Sequence, residues 1–128
     1  MKPQTLLVFT AVLETLTGIG LLLAPVLLIR ILLGAEINDP VVVTIARVGG
    51  SAITAIGVTC WLARKDQQGT GLKALTSGLL VYNTLVLVVL AYSAVNYKTT
   101  PMLIAALIGH FVLAIFCVSS LQKFRRPV

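Results

Sequence analysis

Four apolar runs dominate the chain, each about as long as a bilayer is thick, over residues 6–28, 41–62, 75–95 and 102–121. A hydrocarbon core of ~30 Å needs about 20 helical residues at ~1.5 Å each, so each run is long enough to cross. The connections are short and carry breaker or turn residues: GAEINDP over 34–40, RKDQQGTG over 64–71 and NYKTTP over 96–101. Short connections join antiparallel neighbours. The expected fold is therefore all-α, an integral-membrane up-down bundle of four transmembrane helices forming one domain over residues 1–128.

Composition agrees. Hydrophobic residues make up 58% of the chain and charged ones 11%, against roughly a quarter charged in soluble domains. Disorder would need the opposite balance. The net charge of +6 would suggest nucleic acid in a soluble protein; here it reads as loops facing an anionic membrane, with no nucleic-acid partner. Two cysteines and one histidine support neither a disulfide framework nor a structural zinc site. Cys60 and Cys117 are expected as buried thiols near one end of the bundle.

The first run is untidy, because apolar residues continue past Pro25 to Leu33 with Arg30 among them. Either the helix kinks at Pro25, or it is long and tilted with Arg30 snorkelling to the interface. The run is too long for a signal-peptide core and is read as a span. Basic residues set an orientation. Lys2, Arg64, Lys65, Lys73, Lys123, Arg125 and Arg126 fall on one side, and Arg30 and Lys98, with the acids Glu36 and Asp39, on the other. By the positive-inside rule both termini are expected in the cytoplasm, in a cell inner (plasma) membrane. Trp61, Phe124 and Tyr97 lie at boundaries where amphipathic rings settle.

Charge at membrane depth is the informative signal, since each charged residue at mid-span costs about 2.5–3.5 kcal/mol on insertion. Glu14 falls about 13 Å from the inner boundary and Arg47 about 9 Å from the outer one. Asn83, flanked by Tyr82 and Thr84, and His110 fall near the midplane. One polar group from each span suggests an inward-facing cluster of Glu14, Arg47, Asn83 and His110, the candidate ligand-binding or proton-coupling residues. A Glu14–Arg47 ion pair is only half favoured: each side chain leans toward its own helix N-terminus, so the two lean apart. Stripes of small and hydroxyl residues accompany these positions and favour close helix approach: Thr10, Ala11, Glu14, Thr17 and Gly18; Thr44, Arg47, Gly50, Ser51 and Thr54; and Ala106, His110 and Ala114.

Two resemblances follow from quoted residues. The stretch AVLETLTG over 11–18, with Leu13, Glu14 and Gly18, is similar to the first helix of the small multidrug resistance family. That likeness implies a dimeric, proton-coupled transporter built around Glu14. The third span, GLLVYNTLVLVVLAYS, lacks that family's aromatic- and glycine-containing pattern, and Arg47 adds a charge the family avoids. The stretch ARVGGSAITAIGV over 46–58 resembles the Arg-x-x-Gly signature of DoxX-like bacterial four-helix membrane proteins, some of them linked to quinone-dependent sulfur oxidation. That likeness implies Arg47 and Gly50 as packing or site positions.

No nucleophile–base pair, phosphate loop or metal-ligand set is legible, so autonomous catalysis is not expected, and the residues leave the identity of any cofactor open. The expected function is an accessory or self-associating membrane component, in contact with membrane lipid and with further copies or other membrane subunits, holding a lipid-like or quinone-like small molecule. The alternative is a proton-coupled transporter working as a dimer around Glu14.

Overall fold

A computed structural model of the chain describes residues 3–66 and 69–124. Lys2, Arg125 and Arg126, counted above toward the basic side, and Gln67 and Gln68 of the second connection lie outside the described residues. The described residues form five helices: α1 (Pro3–Leu23), α2 (Pro25–Leu33), α3 (Pro40–Ala63), α4 (Thr70–Asn96) and α5 (Pro101–Lys123). All but α2 are long and apolar enough to cross a membrane. The protein is thus a multi-pass helical membrane protein. The end of the bundle where α1 begins and α5 ends is called proximal below, and the opposite end distal.

The first span is shorter than its apolar run. Helix α1 stops at Leu23, and Ala24 leaves helical geometry at φ −136°, ψ 56°. Pro25 has no N–H to continue the ladder, and its ring clashes with a carbonyl one turn back. The 21 residues of α1 already cover about 31 Å, so α2 begins where the span is complete. Neither a kinked nor a tilted single helix describes this region; the chain breaks and restarts. Gly34, at φ 66°, closes α2 in the left-handed conformation that glycine adopts without steric cost.

Helix starts follow local chemistry. Asp39 caps α3 by accepting from the Val41 N–H at 2.8 Å, and Thr100 caps α5 by accepting from the Leu103 N–H at 3.0 Å. Proline at the first turn of each supplies a preset φ. The Thr100 hydroxyl also donates to the Leu32 carbonyl at 2.6 Å, tying the start of α5 to the end of α2.

Packing is pairwise. Helix α1 runs antiparallel against α3 and α4 against α5, each pair in extensive contact, while the two pairs meet more sparsely. The α1–α3 seam is close because glycines line it. A Cβ added at Gly50 would stand 2.8 Å from the Gly18 carbonyl oxygen, and one at Gly18 would stand 2.7 Å from the Gly50 carbonyl oxygen. Gly57 sits as tightly against Ala11 and Thr15 one to two turns away. With no hydrophobic drive between helices in lipid, such approach supplies the dispersion contacts that hold them together. The pairs share an apolar core toward the proximal end, built around Leu6, Leu7, Leu72, Leu79 and the thiols of Cys60 and Cys117. Both cysteines are free and buried, so they pack as small apolar groups.

Candidate functional site

Buried positions on α1 recur at helical spacing, Leu7, Thr10, Ala11, Glu14 and Gly18, and on α4 at Leu72, Thr76, Leu79 and Asn83. Glu14 and Asn83 therefore sit on stripes that face the other helices; they are 4% and 0% exposed. Glu14 lies eleven residues into α1 and Tyr82 twelve into α4, and the two helices run parallel, so both reach one depth. The Tyr82 hydroxyl donates to Glu14 Oε2 at 2.8 Å. Successive residues on a helix point ~100° apart, which lets Tyr82 reach α1 while its neighbour Asn83 reaches α5. Asn83 Oδ1 meets His110 Nδ1 at 2.8 Å. The Tyr82 and His110 rings stand edge to face, with centroids 5.9 Å apart. One residue from α1, two from α4 and one from α5 form a continuous polar cluster inside the apolar bundle.

The hydrogen bonds assign the proton on His110. Asn83 Nδ2 donates to the Leu79 carbonyl at 2.7 Å, which leaves Oδ1, an acceptor, facing the imidazole. Nδ1 must then be the donor, and in the neutral ring Nε2 carries the lone pair. Neither Nε2 nor Glu14 Oε1 has a hydrogen-bond partner among the described residues, and neither is sealed in. Only the Thr10 and Ser120 hydroxyls, closer to the proximal end, are both enclosed and without a partner among those residues. The cluster can therefore accept a hydrogen bond from a bound hydroxyl at two atoms, and it holds a hydroxyl–carboxylate contact through which a proton can move.

Arg47 is not part of this cluster, which corrects the four-residue grouping expected from sequence. It is exposed on the outer face of α3 and makes no ion pair among the described residues. The reason is rotational. Gly50, Gly57 and Cys60 are the buried positions of α3, and Arg47 lies off their line. Thr44 and Ser51 on the same outer face donate to Pro40 and Arg47 carbonyls one turn back, at 2.8 and 3.1 Å. Such back-bonding satisfies a hydroxyl without a partner helix, so the mixed stripe on this helix divides: Gly50 and Thr54 meet α1, while Thr44, Arg47 and Ser51 face outward. On α1, Thr17 is likewise exposed.

Tyr82 joins the site although sequence reasoning ranked it only as a neighbour of Asn83. A phenol hydroxyl at the depth of Glu14, on a helix of the same direction, was the available signal. Two grooves open sideways from the bundle. One of about 380 Å³ lies between α1 and α3, walled by Val12, Leu16, Val58 and Trp61; the other lies at the α1–α2 break and includes Arg30 and Arg47. Trp61 marks a bundle end, with the Arg64 guanidinium 3.6 Å above its ring centroid and donating to its carbonyl. No group of three or more metal-ligating side chains occurs among the described residues. Compared with known proteins, the chain matches no family model, no curated relative and no solved structure.

Proposed function

We propose that this chain is an accessory or self-associating component of the cell inner membrane that holds the polar head of a lipid-like or quinone-like molecule against Glu14, Tyr82 and His110. The open acceptor edge carries the reading: His110 Nε2 and Glu14 Oε1 lack partners among the described residues, inside a bundle whose other hydroxyls mostly satisfy themselves on backbone carbonyls. A hydroxyl-bearing head, such as that of a quinol, supplies the missing donor, and its tail lies in the surrounding lipid. In this reading both termini are cytoplasmic. Arg64, Lys65, Lys73 and Lys123 at the proximal end, against Arg30, Lys98, Glu36 and Asp39 at the distal end, support that orientation.

Native mass spectrometry after gentle extraction tests it. The intact chain should retain a hydrophobic molecule of defined mass, and His110→Leu should lose it while staying folded. A wild-type chain that carries nothing beyond bulk lipid would refute the reading. The transporter alternative is favoured by one observation: Arg47 does not touch Glu14, so no described cation neutralises the carboxylate. Under that reading Glu14→Gln abolishes proton-driven substrate flux in vesicles, and unchanged flux excludes Glu14 as the carrier.

A further inference from the structure

The second groove, about 440 Å³, sits where α1 ends and α2 restarts, between that break and the distal part of α3. Its walls are apolar at Leu23, Leu27 and Val43, and two arginines from different elements border it, Arg30 of α2 and Arg47 of α3. Both are exposed. Arg47 stands seven residues into α3, about 10 Å from that helix's start, and its side chain leans toward the helix N-terminus, which is the distal boundary. Arg30 has one acidic neighbour, Glu36, at 3.7 Å, with the two side chains 65% and 72% exposed; so solvated a pair contributes little. Arg47 has no acidic partner among the described residues. Two cations from different elements thus line one apolar trough on the outer surface of a membrane-spanning bundle. The chemistry that answers this is an amphiphile with an anionic head and a hydrocarbon tail.

We propose that the groove seats an anionic phospholipid, its phosphate between Arg30 and Arg47 and one acyl chain along Leu23, Leu27 and Val43. A head so placed neutralises Arg47, which would otherwise be an uncompensated charge on a lipid-facing helix surface. The break at Pro25 is what makes the room: an unbroken helix would carry its side chains straight through the space. The site shares no residue with the Glu14 cluster, so its fate and that of the proposed function are separately testable.

The test is native mass spectrometry of the full chain in mild detergent, with phosphatidylglycerol competing against phosphatidylcholine of the same acyl chains. Wild type should prefer phosphatidylglycerol for one bound lipid. Each arginine near a membrane surface contributes about five-fold in attraction for anionic lipid. Arg47→Met should therefore reduce the preference about five-fold, and Arg30→Gln with Arg47→Met about 25-fold. Glu36→Gln, which removes Arg30's acidic neighbour, should raise it, a gain that misfolding cannot imitate. Lys73→Gln, at the other end of the bundle, should leave it unchanged. The proposal is overturned by equal binding of the two lipids to wild type, by a preference that survives loss of both arginines, by a preference that disappears in Lys73→Gln, or by a wild-type dimer that Arg47→Met dissolves without any lipid preference.

Discussion

Neighbouring glycines on α3 make a sharp test of how α1 and α3 are held together. A Cβ at Gly50 would stand 2.8 Å from the Gly18 carbonyl oxygen, 2.8 Å from the Leu21 Cβ and 3.0 Å from the Leu22 N–H nitrogen, whereas one at Gly49 meets nothing within 4 Å. All three obstacles at Gly50 belong to backbone or Cβ atoms, so no rotamer change relieves them. Carbon contacts are comfortable at about 3.5–4.0 Å, so Gly50→Ala must part the helices by about 0.7 Å or more. Overpacking of that kind typically costs about 1–3 kcal/mol. Both substitutions gain the same helix propensity, up to about 1 kcal/mol, which cancels between them. The difference between the two alanine variants is therefore the strain alone, about 2 kcal/mol, or roughly 30-fold in the unfolding equilibrium. Steric trapping in bicelles, or unfolding in mixed detergent micelles, measures it directly. Equal stability of the two variants would refute the close seam as the source of α1–α3 affinity.

Other expectations follow from the same contacts. Tyr82→Phe and Glu14→Gln should be non-additive, with a coupling of about 0.6 kcal/mol and at most about 1.7, the range found for hydrogen bonds between membrane helices; a double-mutant cycle that closes to zero would separate the two groups. Glu14→Gln and Arg47→Met, by contrast, should add within about 0.5 kcal/mol, since the carboxylate bonds to Tyr82 and the guanidinium faces outward. Strong coupling in equilibrium unfolding would contradict that separation. Thr10→Val and Ser120→Ala remove enclosed hydroxyls that have no partner among the described residues, so each should be neutral or stabilising by about 1 kcal/mol. A loss of 2 kcal/mol in either would mean the hydroxyl does have a partner.

The spans were legible because length against bilayer thickness is a one-dimensional property, and proline and glycine mark its punctuation. Pro40 and Pro101, counted from sequence with the connections, are the first residues of α3 and α5, and Pro25 marked a disturbance in the first run without saying that the helix would end two residues before it, at Leu23. Rotation about each helix axis was far less legible. In a soluble helix the polar face identifies itself; a span is apolar nearly all round, so Arg47 could be placed at the right depth and on the wrong side. Glu14, Asn83 and His110 were readable because polar groups at mid-depth have few places to go except inward. Tyr82 was less so, because tyrosine is enriched at the membrane boundary, and only its depth relative to Glu14 marks this one as interior. Thr44 and Ser51 misled for a related reason: a hydroxyl that bonds its own helix one turn back needs no neighbour, and the sequence is the same in either case.

The pairing of α1 with α3 and of α4 with α5 follows chain order, and this bears on how the molecule is made. The glycine seam needs nothing downstream of Ala63, so the first two spans can close on each other while the rest of the chain is still being synthesised. The last two spans can likewise close before they meet the first pair. Docking of the halves then comes last, through the proximal core, the Tyr82–Glu14 bond and the Thr100–Leu32 bond. The two hairpins touch each other far more sparsely than the helices within each hairpin do, so the bundle should part along the plane between them before either hairpin opens. A second molecule's hairpin can compete for that same plane, which makes exchange of halves between copies the natural error in the protein's biogenesis.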